Sequence, residues 1–260
     1  MGNRRSLINI DDPFTMDNVE AGLADGAEWF VSAHGIEPEV AKKVTDAGKA
    51  LICYCEGDGG GDSWGEASGR LKHFSSGSKY VREQIKNALD AGYSTIYLDN
   101  MADNYDSEGI AQYLRVIVEE QQNAGKSPCL FAENADGYAD IVRNPDKFGV
   151  KAEYFAGGIF ECAHENDMKV AQDFAESINA IGDGKVRPTT ALIYTKGEAN
   201  GSGARIDHQT YNGWANKYPD VDMFIFNSTA VDNVHDGVGY VVAINSSKGS
   251  IAPSDDVEVV

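Results

Sequence analysis

Short apolar, β-branched runs alternate with longer stretches of helical periodicity along this chain. The strand-like runs are "SLINI" (6–10), "AEWFVSAHG" (27–35), "KALICYCEGD" (49–58), "YSTIYLDN" (93–100), "SPCLFAEN" (127–134), "AEYFAGGIFECAH" (152–164), "RPTTALIYTKG" (187–197) and "VDMFIFNSTA" (221–230). Helical patterns fall at 15–26, 37–48, 78–92, 107–125, within 137–149, and at 165–184 and 207–220. Their ends carry the expected punctuation. Thr15 is placed to cap the first helix and Gly26 to stop it, and Pro38 sits in the first turn of the second. Val81, Ile85, Ala88 and Leu89 recur at the spacing of one buried helix face. A further apolar run, "GVGYVVAIN" (237–245), predicts an extra strand, and 246–260 reads as a surface tail.

Eight β units separated by helical segments predict an α/β fold, a single (β/α)8 TIM barrel over residues 1–245; such barrels take about 250 residues. A doubly wound dinucleotide fold is the competitor. It needs a Gly-rich phosphate loop opening a helix after a strand. "GDGGGDSWG" follows a strand, but its acids oppose a pyrophosphate, so the barrel is preferred.

Composition narrows the partners. The chain has 260 residues, 42% hydrophobic, enough for one sizeable core. Its 41 acids against 22 bases leave a net charge of −19, which repels phosphate backbones and anionic membrane surfaces. Nucleic acid and membrane are therefore not expected as partners. No segment approaches the roughly 20 apolar residues of a membrane span, and the N-terminus lacks the apolar stretch of a signal peptide. Cys53, Cys55, Cys129 and Cys162 all lie in apolar strand-like runs without CxxC spacing, and read as reduced, buried thiols.

Barrel enzymes place their chemistry at the C-terminal ends of the strands. The residues closing the runs are Asp11 and Asp12, His34, Glu56 and Asp58, Asp99 and Asn100, Glu133 and Asn134, Glu161 and His164, Tyr194 and Lys196, and Asn227. Carboxylates close five of the eight runs. Each has a bland reading as a turn former or helix cap, but a ring of acids beside amides and aromatics suits a sugar site. Glycoside cleavage needs one protonated carboxyl to protonate the leaving oxygen and a second, ionised one as nucleophile or base. Trp64, Tyr105 and Trp214 are candidate stacking platforms, with burial in the core as the alternative. His34 and His164 lack the HxH or HxxxH spacing of a metal pair. The acid string 99–108 lacks the spacing of a known calcium loop. No metal or cofactor is expected.

Four stretches, in order, resemble glycoside hydrolase family 114, the endo-α-1,4-polygalactosaminidase-like barrels. They are "ALICYCEGDGGGDSW", "GYSTIYLDNMADNY", "FAENADGYADIV" and "AGGIFECAHE". The resemblance spans roughly residues 50 to 165. It implies Asp99 as nucleophile, Glu161 as general acid/base, and Asn100 and Asn134 as groups that orient substrate. Asp11, Asp12, His34, Glu56, Asp58, Glu133, Tyr194, Lys196 and Asn227 complete the expected substrate-binding rim. Glu56 stands where the family carries a small serine, which bears on the sugar more than on the reaction. The resemblance implies a polysaccharide substrate and, as the family is usually secreted, an extracellular setting; the lack of a signal-peptide stretch points to a virion-associated one as well, with a cytoplasmic setting as the alternative. The competing expectation is a non-catalytic barrel, a binding or structural module of a phage particle or surface assembly, self-associating through the tail.

Overall fold

The computed structural model describes residues 6–9, 13–24, 26–32, 35–55, 82–83, 85–98, 106–162, 164–185, 187–194, 208–226 and 243–244. Its strands are β1 (Ser6–Asn9), β2 (Trp29–Ser32), β3 (Ala50–Cys55), β4 (Thr95–Leu98), β5 (Leu130–Ala132), β6 (Phe155–Cys162), β7 (Thr189–Tyr194), β8 (Val221–Phe226) and β9 (Ala243–Ile244). The helices are α1 (Met16–Ala24), α2 (Pro38–Asp46), α3 (85–90), α4 (Ser107–Asn123), α5 (Gly137–Arg143), α6 (Pro145–Phe148), α7 (Glu165–Asn179) and α8 (His208–Lys217). Every strand expected from the apolar runs has a counterpart among the described residues.

The helix signals act as read. Thr15 Oγ1 accepts from Asn18 N at 3.3 Å while Asn18 Oδ1 accepts from Thr15 N at 3.0 Å, a reciprocal cap on α1. Pro38 opens α2. Asp106, from the acid string, accepts from Gly109 N at 2.9 Å and so caps α4.

The strands pair in parallel as two sheets, β1-β2-β3-β4 and β5-β6-β7-β8, with β9 added antiparallel to β8. The extra strand is thus real. It takes the edge of β8 not used by β7, through Met223 and Phe224. Two apolar layers follow from the alternation of strand side chains. One lies between strands and helices and includes Phe30, Leu51, Ile96, Leu130, Phe160 and Phe174. The other is an inner cluster of Trp29, Val31, Ile52, Tyr97, Phe131, Ile159 and Leu192, one or two residues from each of β2 to β7. Both sheets therefore wrap a common interior. The Trp29 ring meets Phe131 edge-on across it, centroids 4.7 Å apart.

No ladder joins β4 to β5 among the described pairings. A side chain bridges them instead. Gln121, on α4 and fully buried, donates from Nε2 to Ser94 O and to Cys129 O, both at 2.7 Å. Its Oε1 accepts from Cys129 N at 3.1 Å. Three backbone groups just before β4 and β5 thus have their partner in one amide. Gln121→Leu keeps the volume and removes all three bonds. It is expected to cost about 3 kcal/mol, read as a lowered urea midpoint with an unchanged m-value.

Ahead of β7, Arg187 is almost wholly buried and donates from Nε to Phe155 O at 2.8 Å and from both terminal nitrogens to Asp183. Those bonds hold the Asp183 carboxyl well below the usual carboxylate range. A depressed folded-state pKa stabilises above the unfolded value, near 3.9 for Asp, and the contribution is lost as pH falls further. Stability from this pair is therefore expected to be constant at neutral pH and to decline below about pH 4. Thermal melts of Asp183→Asn against wild type from pH 2 to 7 should converge at the acid end.

Candidate active site

The described part of the strand C-terminal rim centres on β5 and β6. In β6, Phe160 and Cys162 face the helices and Ile159 faces the interior, so alternation assigns Glu161 to the inner face. Glu161 is half-buried, one residue before the end of the strand. Its backbone N–H donates to Oδ1 of Asn134, the second residue after β5. Asn134 sits in a tight turn in which Ala135 N donates to Glu133 O at 2.5 Å. The chain leaving β5 is thereby tied to the end of β6, beside the inward carboxylate. This uses Asn134's acceptor and leaves its amide donors for other partners.

Glu133 is 1% exposed. Its negative charge, after burial itself, pushes the phenol of Tyr138 on α5 well above its ordinary pKa. Glu133 is thus buried near Tyr138, while Glu161 reaches the half-exposed end of the interior. The thiols of Cys129 and Cys162 are held in the protonated form. Burial, followed by the charges of Asp167 and Glu161, pushes Cys162 well up, and burial alone takes Cys129 to about 11. Among the described residues Cys53 and Cys162 are buried free thiols and Cys129 is a half-buried one.

An aromatic pair also lies on the inner face. Tyr54 of β3 and Tyr97 of β4 are register partners. Their rings stack with centroids 5.7 Å apart and planes 21° apart. Tyr97 is buried and Tyr54 half-exposed, one residue from the C-terminal end of β3. The sequence reading passed over both. The available signal was the inward alternation Ile52-x-Tyr54 beside Tyr97. Trp214, a candidate stacking platform, is instead buried in the outer layer at 7% exposure. His164 is exposed at the start of α7, where its N–H donates to the Asp167 carboxylate at 2.7 Å.

Tyr194 is described only in its backbone, as the last residue of β7 opposite Phe226. Asp11, Asp12, His34, Glu56, Asp58, Asp99, Asn100, Lys196 and Asn227 lie outside the described residues, as do Trp64 and Tyr105. Asp99 follows directly on Leu98, the last residue of β4.

Among solved structures, the chain aligns with a GH18 chitinase from Pseudoalteromonas aurantia over 90% of its own length and 96% of the other, at 12% identity and a TM-score of 0.50. It shares the fold of that barrel enzyme. It also aligns with active domain 2 of a thermostable chitinase from Pyrococcus furiosus, over 87% of this chain and 84% of that one, at 15% identity and a TM-score of 0.45. A third match is 2,3-dimethylmalate lyase, a member of the PEP mutase/isocitrate lyase superfamily, over 88% and 79%, at 12% identity and a TM-score of 0.39. No protein-family model and no curated protein matches the sequence. At these identities the likeness concerns the backbone fold alone.

Proposed function

We propose that this protein is a glycoside hydrolase that cleaves a polysaccharide with two carboxylates, Glu161 as general acid/base and Asp99 as nucleophile. The observation that carries the reading is Glu161 itself: an inward, half-buried carboxylate at the C-terminal end of an inner strand, with its backbone held by Asn134. The half-exposed face of Tyr54 at the same end of the interior supplies the flat apolar surface on which sugar rings stack. Asp99, one residue beyond β4, completes the pair if β4 keeps its alternation, which follows Tyr97 inward. The proposal includes a closed eight-stranded ring within residues 1–245, with 246–260 as a tail.

The resemblance to family 114 extends the reading to an amino-sugar polymer containing galactosamine, and the GH18 chitinase with the same fold also bears a name that refers to an amino-sugar polymer. Glu56 and Asp58 then provide negative charge for cationic amino groups. A retaining reaction needs the two carboxyl groups about 5–5.5 Å apart, and an inverting one about 6.5–9.5 Å.

The test is a screen of galactosamine-containing and other bacterial polysaccharides with wild type, Asp99→Asn and Tyr54→Ala. Cleavage by wild type, its loss in Asp99→Asn, and a raised KM with kcat largely kept in Tyr54→Ala are the expected results. Equal cleavage by Asp99→Asn would remove Asp99 from the mechanism. Binding without cleavage by wild type would favour the non-catalytic module.

A further inference from the structure

A cleft lies at the opposite end of the strands from Glu161. It encloses about 620 Å³ between α2, the turn after α3 and the segments that enter β3, β4 and β5. Its walls include three lysines, Lys42, Lys49 and Lys126, against one acid, Asp90. In a chain with 41 acids and 22 bases that local balance is unusual. Small side chains such as Ala41, Ala50 and Ala91 leave the space open.

Lys126 is the central group. It is half-buried, and its Nζ donates to Tyr93 O at 3.1 Å. An ammonium carries three protons, so this carbonyl leaves two for another acceptor. Burial lowers its pKa, with Asp90 opposing, so the cation is incompletely compensated where it stands. Lys42 and Lys49 pair with Asp46 and Glu28, carboxylates that are 63% and 52% exposed. Pairs to carboxylates this exposed contribute little to stability, so either lysine can turn toward a better acceptor at little cost. Ser94 Oγ accepts from Leu51 N at 3.2 Å, which leaves its O–H to donate.

We propose that this cleft is a binding site for a small molecule bearing an oxyanion, phosphate or carboxylate, held by Lys126 with Lys49 and Lys42. The site is separate from the rim that carries Glu161 and does not depend on the glycosidase reading. Lysines serve such groups as point charges, and the apolar walls accommodate a small carbon body.

The test uses inorganic phosphate and malonate, each against sodium chloride of equal ionic strength, in thermal-shift titrations of the full chain. A ligand that binds only the folded state raises Tm with concentration. At least one probe is expected to raise Tm, and which one does so distinguishes a phosphoryl from a carboxylate ligand. Lys126→Met is expected to weaken binding about tenfold or more, while Lys147→Met, on α6, leaves it unchanged. Because Lys126→Met also removes the bond to Tyr93, the wild-type protein supplies a second readout: the NMR signal of the Lys126 ε-methylene should shift on addition of the binding probe. Absence of any Tm rise beyond the chloride control, an unmoved Lys126 signal, or full binding by Lys126→Met would overturn the proposal.

Discussion

Gly157→Ala is expected to cost on the order of 3 kcal/mol, at the upper end for an overpacked core, and to lower Tm by roughly 10 °C. Gly157 lies in β6 where the strand passes the inner Trp29. A Cβ there would stand 2.2 Å from Trp29 Cζ2 and 2.5 Å from Pro188 O. Neither neighbour can yield cheaply. The Trp29 ring is 3% exposed and packed edge-on against Phe131, and the Pro188 carbonyl accepts from Gly158 N at 3.2 Å. Gly158 is nearly as constrained, with a Cβ falling 2.8 Å from Phe160, 2.9 Å from Phe174 and 3.1 Å from Ala132. The two glycines coincide with the shift in register between β5 and β6. Equilibrium unfolding should show the loss for Gly157→Ala, and pairing it with Trp29→Leu, which vacates the ring's space, should recover part of it. If Gly157→Ala melts with wild type, the inner layer is not packed as described.

Glu161→Gln is expected to reduce polysaccharide cleavage by about 10²- to 10⁴-fold, the range for a lost general acid/base, with KM little changed. The amide keeps the shape and removes the proton that the leaving oxygen needs. Glutamine also retains the backbone N–H that donates to Asn134, so the strand end stays tied and the loss reports chemistry rather than collapse. An aryl glycoside whose leaving group needs no proton should lose less in the first step than the polymer does. Wild-type activity in Glu161→Gln would assign the acid/base role elsewhere. A carboxyl separation between Asp99 and Glu161 beyond ~12 Å in an experimental structure would sink the pairing, since neither reaction geometry reaches that far.

The two experiments probe different parts of what could be read from the chain. Periodicity alone located the strands and helices, because alternation and helical spacing are local properties recorded in adjacent residues. The extra strand at 243–244 was legible for the same reason. The cap at Thr15 followed from a side chain that reaches only three residues along, while Asp106, read as part of an acidic loop, proved to be the same kind of cap. The parallel α/β arrangement followed from the order of the elements, and Glu161 from its position at the end of an apolar run.

Contacts between residues distant in sequence had no such signature. Gln121 sits in a run of polar residues and reads as surface, yet it is buried, bonded to Ser94, 27 positions earlier, where no ladder joins the two sheets among the described pairings. Asn134 read as a substrate group, and its oxygen also accepts from the backbone N–H of Glu161, 27 positions later. The Tyr54–Tyr97 stack required the β3–β4 register. The lysine cleft joins residues 42, 49 and 126, which no window along the chain brings together. The sequence by itself determined the element order, the parallel α/β class and the strand that bears Glu161, because those rest on hydrophobic period and short-range capping. Only the tertiary structure decided which polar groups are buried partners and which remain open for a ligand, because burial is set by what the rest of the chain packs against each side chain.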